Sequence, residues 1–178
     1  MNITNRGTGA GGANTNNNGL SYEALTCLDD CINLIEKNKN YKKISFHNNK
    51  SKILISTKQS KFSKCMDNHR NKNISIAHGC KNPDECYIYE NKIFIIEKKF
   101  QQTSGSVCEK IQTGVFKRHH YSELYPDFTI IYIYCLSYWF KENCLSELSY
   151  LRSNNIPVFW GSSLTYKQDI IQFIINYT

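Results

Sequence analysis

The sequence has few of the features that mark membrane or secreted proteins. Its longest uncharged apolar stretch, residues 128–140, is shorter than the roughly 18–20 residues that a bilayer-spanning helix requires. Residues 1–12 are polar and glycine-rich, and they lack the apolar segment of a signal peptide. We therefore expect no membrane span and a protein that stays inside the cell, in the cytoplasm.

No CxxC pair occurs among the eight cysteines, although such pairs are common in zinc and redox sites. The nearest approach to a metal cluster fits no zinc spacing, and it consists of Cys65, His69, His78, Cys80 and Cys86. Reduced thiols are the expected state of an intracellular protein. We therefore predict structural cysteines that are largely buried.

Acidic residues are scarce in one long segment, residues 37–72. It contains eleven Lys or Arg and a single acid, Asp67, so it carries a net charge of +10 and the rest of the chain carries −3. A polyanion such as a nucleic acid suits this segment, because Lys and Arg at phosphates release condensed counterions. A solvated, lysine-rich surface explains the same charge, and charge alone leaves both interpretations open.

The first 19 residues hold five of the nine glycines and six asparagines, a composition that favours no regular element. The chain of 178 residues has room for one domain with its own core. We predict a Gly/Asn-rich arm at residues 1–19 and a single domain at residues 20–178.

Hydrophobic spacing predicts both helices and strands in the remaining chain. A first helix over residues 21–36 is predicted from the three- and four-residue spacing of Leu25, Leu28, Ile32 and Ile35. Predicted strands cover residues 43–46, 52–56, 74–77, 86–89, 93–96, 128–136 and 157–160. Later helices are predicted after capping boxes at residues 106–109 and 165–168 and over residues 141–152. This order indicates an α/β mixed sheet, an antiparallel hairpin plus parallel strands, with helices on both faces.

The strands predicted at residues 86–89 and 93–96 form a hairpin in this interpretation, and it brings chemically active residues together. If Glu90 and Asn91 form a two-residue turn, Asp84 and Glu97 face each other, with β-carbons roughly 5 Å apart. Lys99 lies two positions beyond Glu97 and therefore on the same face. Two carboxylates can bind one hard cation, and a lysine beside them can hold a water and balance negative charge during phosphodiester cleavage. A three-residue turn would instead place Glu85 opposite Glu97.

Pro83-Asp84, twelve intervening residues and Glu97-Lys98-Lys99 form the pattern of the PD-(D/E)XK nuclease superfamily. Over most of residues 7–161 the chain resembles a type II restriction endonuclease-like protein. The glycine-rich residues 7–23, the approach at residues 78–84 and the run at residues 97–110 all resemble segments of small restriction enzymes. The resemblance implies a restriction-endonuclease-like fold.

The resemblance also implies the roles of individual residues. Asp84 and Glu97 are expected to bind Mg²⁺, Lys99 to be the catalytic lysine, and Glu23 of the first helix to support the metal site. The expected substrate is double-stranded DNA, cut at a short sequence by a homodimer. Expected DNA contacts are Arg6, Asn14 and Asn16 in the arm and Gln101, Lys110 and Lys117 after the second hairpin strand.

Other interpretations of the same residues stay open. Glu90-Asn91-Lys92 also spells ExK but falls at the expected turn, and Pro126-Asp127 has no ExK at a useful distance. The same residues are also compatible with a hairpin that carries an ordinary surface salt bridge. The functional alternatives are a structure-specific nuclease of repair or recombination, and a DNA-binding protein on this fold that does not cleave.

Overall fold

The computed structural model describes residues 13–103 and 107–178, and their side chains from residue 18 onward. These residues are organised around a seven-stranded sheet. The strands lie side by side in chain order, and they are β1 (Ile32–Lys37), β2 (Lys42–Phe46), β3 (Asn49–Thr57), β4 (Glu85–Tyr89), β5 (Lys92–Lys99), β6 (Thr129–Leu136) and β7 (Val158–Trp160). The helices are α1 (Ala13–Leu25), α2 (Ser60–Cys65), α3 (Val107–Leu124), α4 (Trp139–Asn143), α5 (Leu145–Ser153) and α6 (Tyr166–Tyr177).

The pairing of the strands changes at β5. Strands β1 to β5 form an antiparallel meander, whereas β5, β6 and β7 run parallel to one another. Parallel neighbours need a crossover connection, and here α3 joins β5 to β6 while α4 and α5 join β6 to β7. The predicted combination of an antiparallel hairpin with parallel strands is therefore confirmed.

Side chains from the two faces of the sheet form two separate cores. One core packs β4, β5 and β6 against α2 to α5, and it includes Phe62, Ile95, Ile111, Tyr132 and Leu151. The other packs the opposite face against α1 and α6, and it includes Tyr22, Phe94, Ile133, Ile170 and Ile174. Helices thus cover both faces, as predicted, and β6 is buried on both sides. Among the described residues, none of the helices combines the length and apolar composition needed to cross a bilayer.

The N-terminal elements differ from the prediction. Helix α1 ends at Leu25, and Ile32 and Ile35 belong to β1, so the predicted helix over residues 21–36 is wrong. Residues 13–19, which we expected to lack regular structure, belong to α1. The apolar spacing is compatible with a helix, but antiparallel pairing with β2, beginning with Ile32 opposite Phe46, decides the structure of this segment. Residues 1–12 of the predicted arm lie outside the described residues.

Three smaller predictions also fail. Residues 74–77 form no strand and lead into a short 3₁₀ turn. The helix predicted over residues 141–152 is divided into α4 and α5 at Cys144, whose backbone is not helical. The Thr165 hydroxyl donates to Asp169 at 2.7 Å instead of capping the backbone of α6. The other predicted capping box includes Ser106, which lies outside the described residues.

A disulfide joins Cys108 of α3 to Cys144 between α4 and α5. The expectation of reduced thiols is therefore wrong for this pair, because the fold brings the two sulfur atoms together across 36 residues of chain. The remaining six cysteines are free thiols, and Cys80, Cys86 and Cys135 are buried as predicted.

Candidate active site

The hairpin of β4 and β5 has the two-residue turn that the sequence predicts. Tyr89 pairs with Lys92 and Glu85 pairs with Ile96, so Glu90 and Asn91 form the turn. The same register places Asp84, directly before β4, opposite Glu97. The Asp84 carboxylate accepts a hydrogen bond from the backbone N–H of Lys98 at 2.8 Å. The alternative register, with Glu85 opposite Glu97, is therefore excluded.

Glu97 is held by two lysines at once. Its side chain is only 9% exposed, and Oε1 lies 2.7 Å from Nζ of Lys99 and 2.8 Å from Nζ of Lys117. Lys99 comes from the same strand and face, whereas Lys117 reaches Glu97 from α3. The two ammonium groups offset the cost of burying the carboxylate.

The pKa values of the two carboxylates, Asp84 and Glu97, shift in opposite directions. Burial and the neighbouring charge of Glu97 raise the pKa of Asp84 from 3.8 to about 6. Burial also favours a higher pKa for Glu97, but Lys99 and Lys117 outweigh it and hold that pKa below its ordinary value. Burial opposes a charged Lys99, yet Glu97 and Asp84 raise the pKa of its ammonium. Of these two carboxylates, the charge of Asp84 is therefore the less compensated, a condition that a cation relieves.

Glu23 lies beside this group on the last turns of α1. Its charge contributes to the raised pKa of both Asp84 and Lys99. A cavity of about 180 Å³ between α1 and the hairpin is lined by Glu23, Asp84, Lys58 and Lys98 among other residues. In the described part of the chain, the carboxylates of Glu23, Asp84 and Glu97 do not all lie within 4.8 Å of one another. Asp84 and Glu97 form the central pair, and Glu23 stands at its edge.

A second charged pair lies on the opposite face of the same hairpin. Lys98 Nζ is 2.8 Å from Glu85 Oε2, and both side chains are almost fully buried, 3% and 4% exposed. Lys98 also donates to the backbone carbonyl of Glu23 at 3.2 Å. Glu85 Oε1 accepts from the Tyr87 hydroxyl at 2.6 Å and from the backbone N–H of Leu28 at 3.2 Å. This pair therefore fastens the end of α1, which carries Glu23, to the hairpin.

The residues predicted to contact DNA differ in their placement. The Gln101 amide donates to the Thr103 carbonyl at 2.6 Å and so binds its own loop. Lys110 is exposed on α3, as a phosphate contact requires. Lys117, on the same helix, donates a hydrogen bond to Glu97 and is therefore part of the candidate site. Arg6 and the side chains of Asn14 and Asn16 lie outside the described residues.

The basic segment, residues 37–72, is partly neutralised by ion pairs. Lys42 and Lys58 both contact Asp29, at 2.8 and 3.1 Å, and Lys43 contacts Glu36 at 2.7 Å. Arg70 and Lys72 pair with Asp67. Within the described residues, the exposed lysines of this segment that form no ion pair are Lys37, Lys39, Lys50, Lys61 and Lys64.

Two of these exposed lysines, Lys61 and Lys64, lie on α2 next to the candidate site. Gln59, directly before α2, donates its backbone N–H to the Pro83 carbonyl at 2.7 Å. Pro83 directly precedes Asp84, so this hydrogen bond places the start of α2 close to the carboxylate pair. Of the lysines in the basic segment, these two are the strongest candidates for phosphate contacts.

Sequence reasoning missed the roles of Lys98 and Lys117. Lys98 stands between two other charged residues at the end of a strand, and such residues normally point to solvent on at least one face. Lys117 carried a detectable signal, because it follows Gly114 by three residues and precedes Tyr121 by four, and both are buried on α3. A lysine on the buried face of a helix requires a partner, and Glu97 is that partner.

No protein family, curated protein or solved structure matches this chain significantly.

Proposed function

We propose that the protein is a magnesium-dependent endodeoxyribonuclease of the PD-(D/E)XK type, with a restriction-endonuclease-like fold. Its substrate is double-stranded DNA, cut at a short recognition sequence in the manner of type II restriction enzymes. The observation that carries the proposal is the contact geometry of one hairpin: Asp84 stands opposite Glu97, and Lys99 contacts Glu97 at 2.7 Å.

The donor set fits a magnesium ion. Mg²⁺ prefers oxygen ligands and is commonly bound by one or two carboxylates, with water or phosphate completing its shell. Asp84 and Glu97 supply these carboxylates, and burial together with the adjacent charge of Glu97 raises the pKa of Asp84. When bound, the ion would neutralise the scissile phosphate and lower the pKa of a bound water.

The protein's own residues perform the remaining tasks. Lys99, with its Nζ beside the carboxylate pair and its side chain 30% exposed, reaches both the site and solvent. Its ammonium is positioned to hold the attacking water and to stabilise negative charge that develops on the phosphate. Lys61, Lys64 and Lys110 would bind backbone phosphates, which fixes the position of the duplex without reading its sequence.

A homodimer completes the proposal. Many short recognition sequences are palindromic, and a two-fold symmetric protein matches a two-fold symmetric site most simply. Each protomer would then cut one strand with its own Asp84, Glu97 and Lys99.

The test is a cleavage assay on long unmethylated DNA with Mg²⁺ or with EDTA. Lys99→Ala is compared with Lys92→Ala, which removes a lysine from the same strand near the turn. We expect discrete magnesium-dependent bands with the wild-type and Lys92→Ala proteins. These bands should be absent with Lys99→Ala. Normal cleavage by Lys99→Ala would show that the site is wrong, and a smear would remove the sequence-specific part of the proposal.

A DNA-binding protein that does not cleave is the second candidate. It is favoured by the two ammonium groups on Glu97, which balance this carboxylate without a metal ion. DNA that stays intact with magnesium but is retarded in a gel would support it.

A further inference from the structure

Lys117 holds a position that phosphate binding alone does not explain. Its side chain is 13% exposed, and its ammonium lies 2.8 Å from Glu97 Oε1, the same oxygen that Lys99 contacts. Among the described residues, Glu97 is the acid with which Lys117 forms an ion pair. Lys117 is therefore a mostly buried cation, and its ion-pair partner, Glu97, is one of the proposed metal ligands.

The loop before Asp84 restricts the aliphatic part of this side chain. A β-carbon at Gly79 would come within 3.1 Å of Cε of Lys117, which is closer than ordinary van der Waals contact. Gly79 thus lets the turn at residues 78–80 pack directly against the lysine. A side chain at position 79 would therefore crowd Lys117 next to its ion pair with Glu97.

The charges of the two central carboxylates and of the two lysines on Glu97 sum to zero when no metal is bound. Asp84 and Glu97 supply two negative charges, and Lys99 and Lys117 supply two positive charges. A divalent cation that approaches Glu97 meets two ammonium groups on one carboxylate oxygen. Like charges in a partly buried site repel strongly, so departure of one ammonium from Oε1 would strengthen binding of the ion.

We propose that Lys117 is a built-in counter-ion of the metal site, which occupies Glu97 in the metal-free protein and is displaced when a divalent cation binds. This inference rests on the proposed function. Lys117 comes from a separate element, α3, whereas Lys99 is the lysine of the catalytic pattern and remains on its strand. A DNA phosphate offers the displaced ammonium a new partner, so DNA and metal each strengthen the binding of the other.

Calorimetric titration of the DNA-free protein with Mg²⁺ and with Ca²⁺ tests this competition without an activity assay. Lys117→Met and Lys117→Gln remove the charge, Lys117→Arg keeps it, and Lys110→Met removes a charge from an exposed position two turns earlier on α3. Asp84→Asn reports whether the metal binds at the proposed site. Circular dichroism of each protein checks that it is folded.

Removal of the charge is expected to tighten metal binding on the order of tenfold, the size of effect that one close charge exerts on a carboxylate. Lys117→Arg and Lys110→Met should bind as the wild type does. Unchanged affinity in both Lys117→Met and Lys117→Gln, while Asp84→Asn abolishes binding, would overturn the counter-ion role and leave the metal site in place. Metal binding that survives Asp84→Asn would instead overturn the proposed site.

Discussion

Lys98 and Lys99 are neighbours in sequence, but their ammonium groups serve opposite faces of the sheet. Lys98 forms a buried ion pair with Glu85 at 2.8 Å, and Lys99 contacts Glu97 at 2.7 Å. The alternation of side chains along a strand separates them completely. One lysine therefore belongs to the interior beneath α1, and the other belongs to the candidate active site.

Loss of Lys98 should cost stability. Lys98→Met leaves Glu85 buried without its cation, and removing one partner of a buried ion pair costs about 3–5 kcal/mol. Chemical denaturation should show this decrease in the free energy of unfolding, whereas Lys99→Met should change it much less. Because Glu85 is then uncompensated, the double variant Glu85→Gln/Lys98→Met should recover part of this decrease. A Lys98→Met protein as stable as the wild type would contradict the buried pair.

Asp84 should make the metal-free protein less stable as the pH rises from 4 to 7. Its pKa of about 6 in the folded protein exceeds the ordinary 3.8, so the native state binds more protons in this window. The stability that the protonated carboxyl contributes is present below pH 4 and is lost as the pH passes 6. Asp84→Asn, measured in EDTA, should therefore be more stable than the wild type at pH 7.5, by up to about 3 kcal/mol, and nearly equal at pH 4. Equal pH profiles for the two proteins would argue against a buried Asp84 carboxylate beside Glu97.

The salt dependence of DNA binding should separate the lysines proposed to contact DNA from those that pair with carboxylates of the protein. Lys61 and Lys64 are exposed on α2 beside the site, whereas Lys42 and Lys43 pair with Asp29 and Glu36. Replacing Lys61 and Lys64 by Gln should reduce the slope of log affinity against log salt by about 0.9 for each DNA phosphate that the variant no longer neutralises. The matched replacement of Lys42 and Lys43 should alter the slope less. Fluorescence anisotropy with a DNA duplex in EDTA measures both, and equal slopes for the two variants would contradict the assignment.

Reduction of the Cys108–Cys144 disulfide should destabilise the packing of α3 against α4 and α5. The bond closes a loop across 36 residues, and such cross-links typically contribute about 2–4 kcal/mol. Denaturation midpoints with and without a thiol reductant should differ in the wild type. Cys108→Ser/Cys144→Ser should resemble the reduced protein and should not respond to the reductant. A reductant effect that persists in this variant would have to come from elsewhere in the chain.

The hairpin could be predicted from sequence because its signals are local. Two β-rich runs flank a polar pair, Glu90 and Asn91, and the alternation of side chains then fixes which residues face each other. Asp84, Glu97 and Lys99 followed from this register without any knowledge of the rest of the fold.

Features that depend on distant parts of the chain could not be predicted. Ile32 and Ile35 satisfy the spacing of a helix, and only pairing with β2 makes this segment a strand. Lys98 becomes buried because α1 and β4 supply partners that lie 75 and 13 residues away. The contact of Lys117 with Glu97 depends in the same way on how α3 returns to the sheet.

The order in which the site is assembled follows from the position of α1. Tyr22 of this helix lies 3.5 Å from Cys135 on β6, and its hydroxyl fills the space left by the missing side chain of Gly161. Cys135 follows Tyr22 by more than a hundred residues. During synthesis, this contact of α1 therefore forms only after Asp84, Glu97 and Lys99 have been made. For a protein proposed to cut DNA, part of the surface that seats Glu23 is thus added after the carboxylate pair.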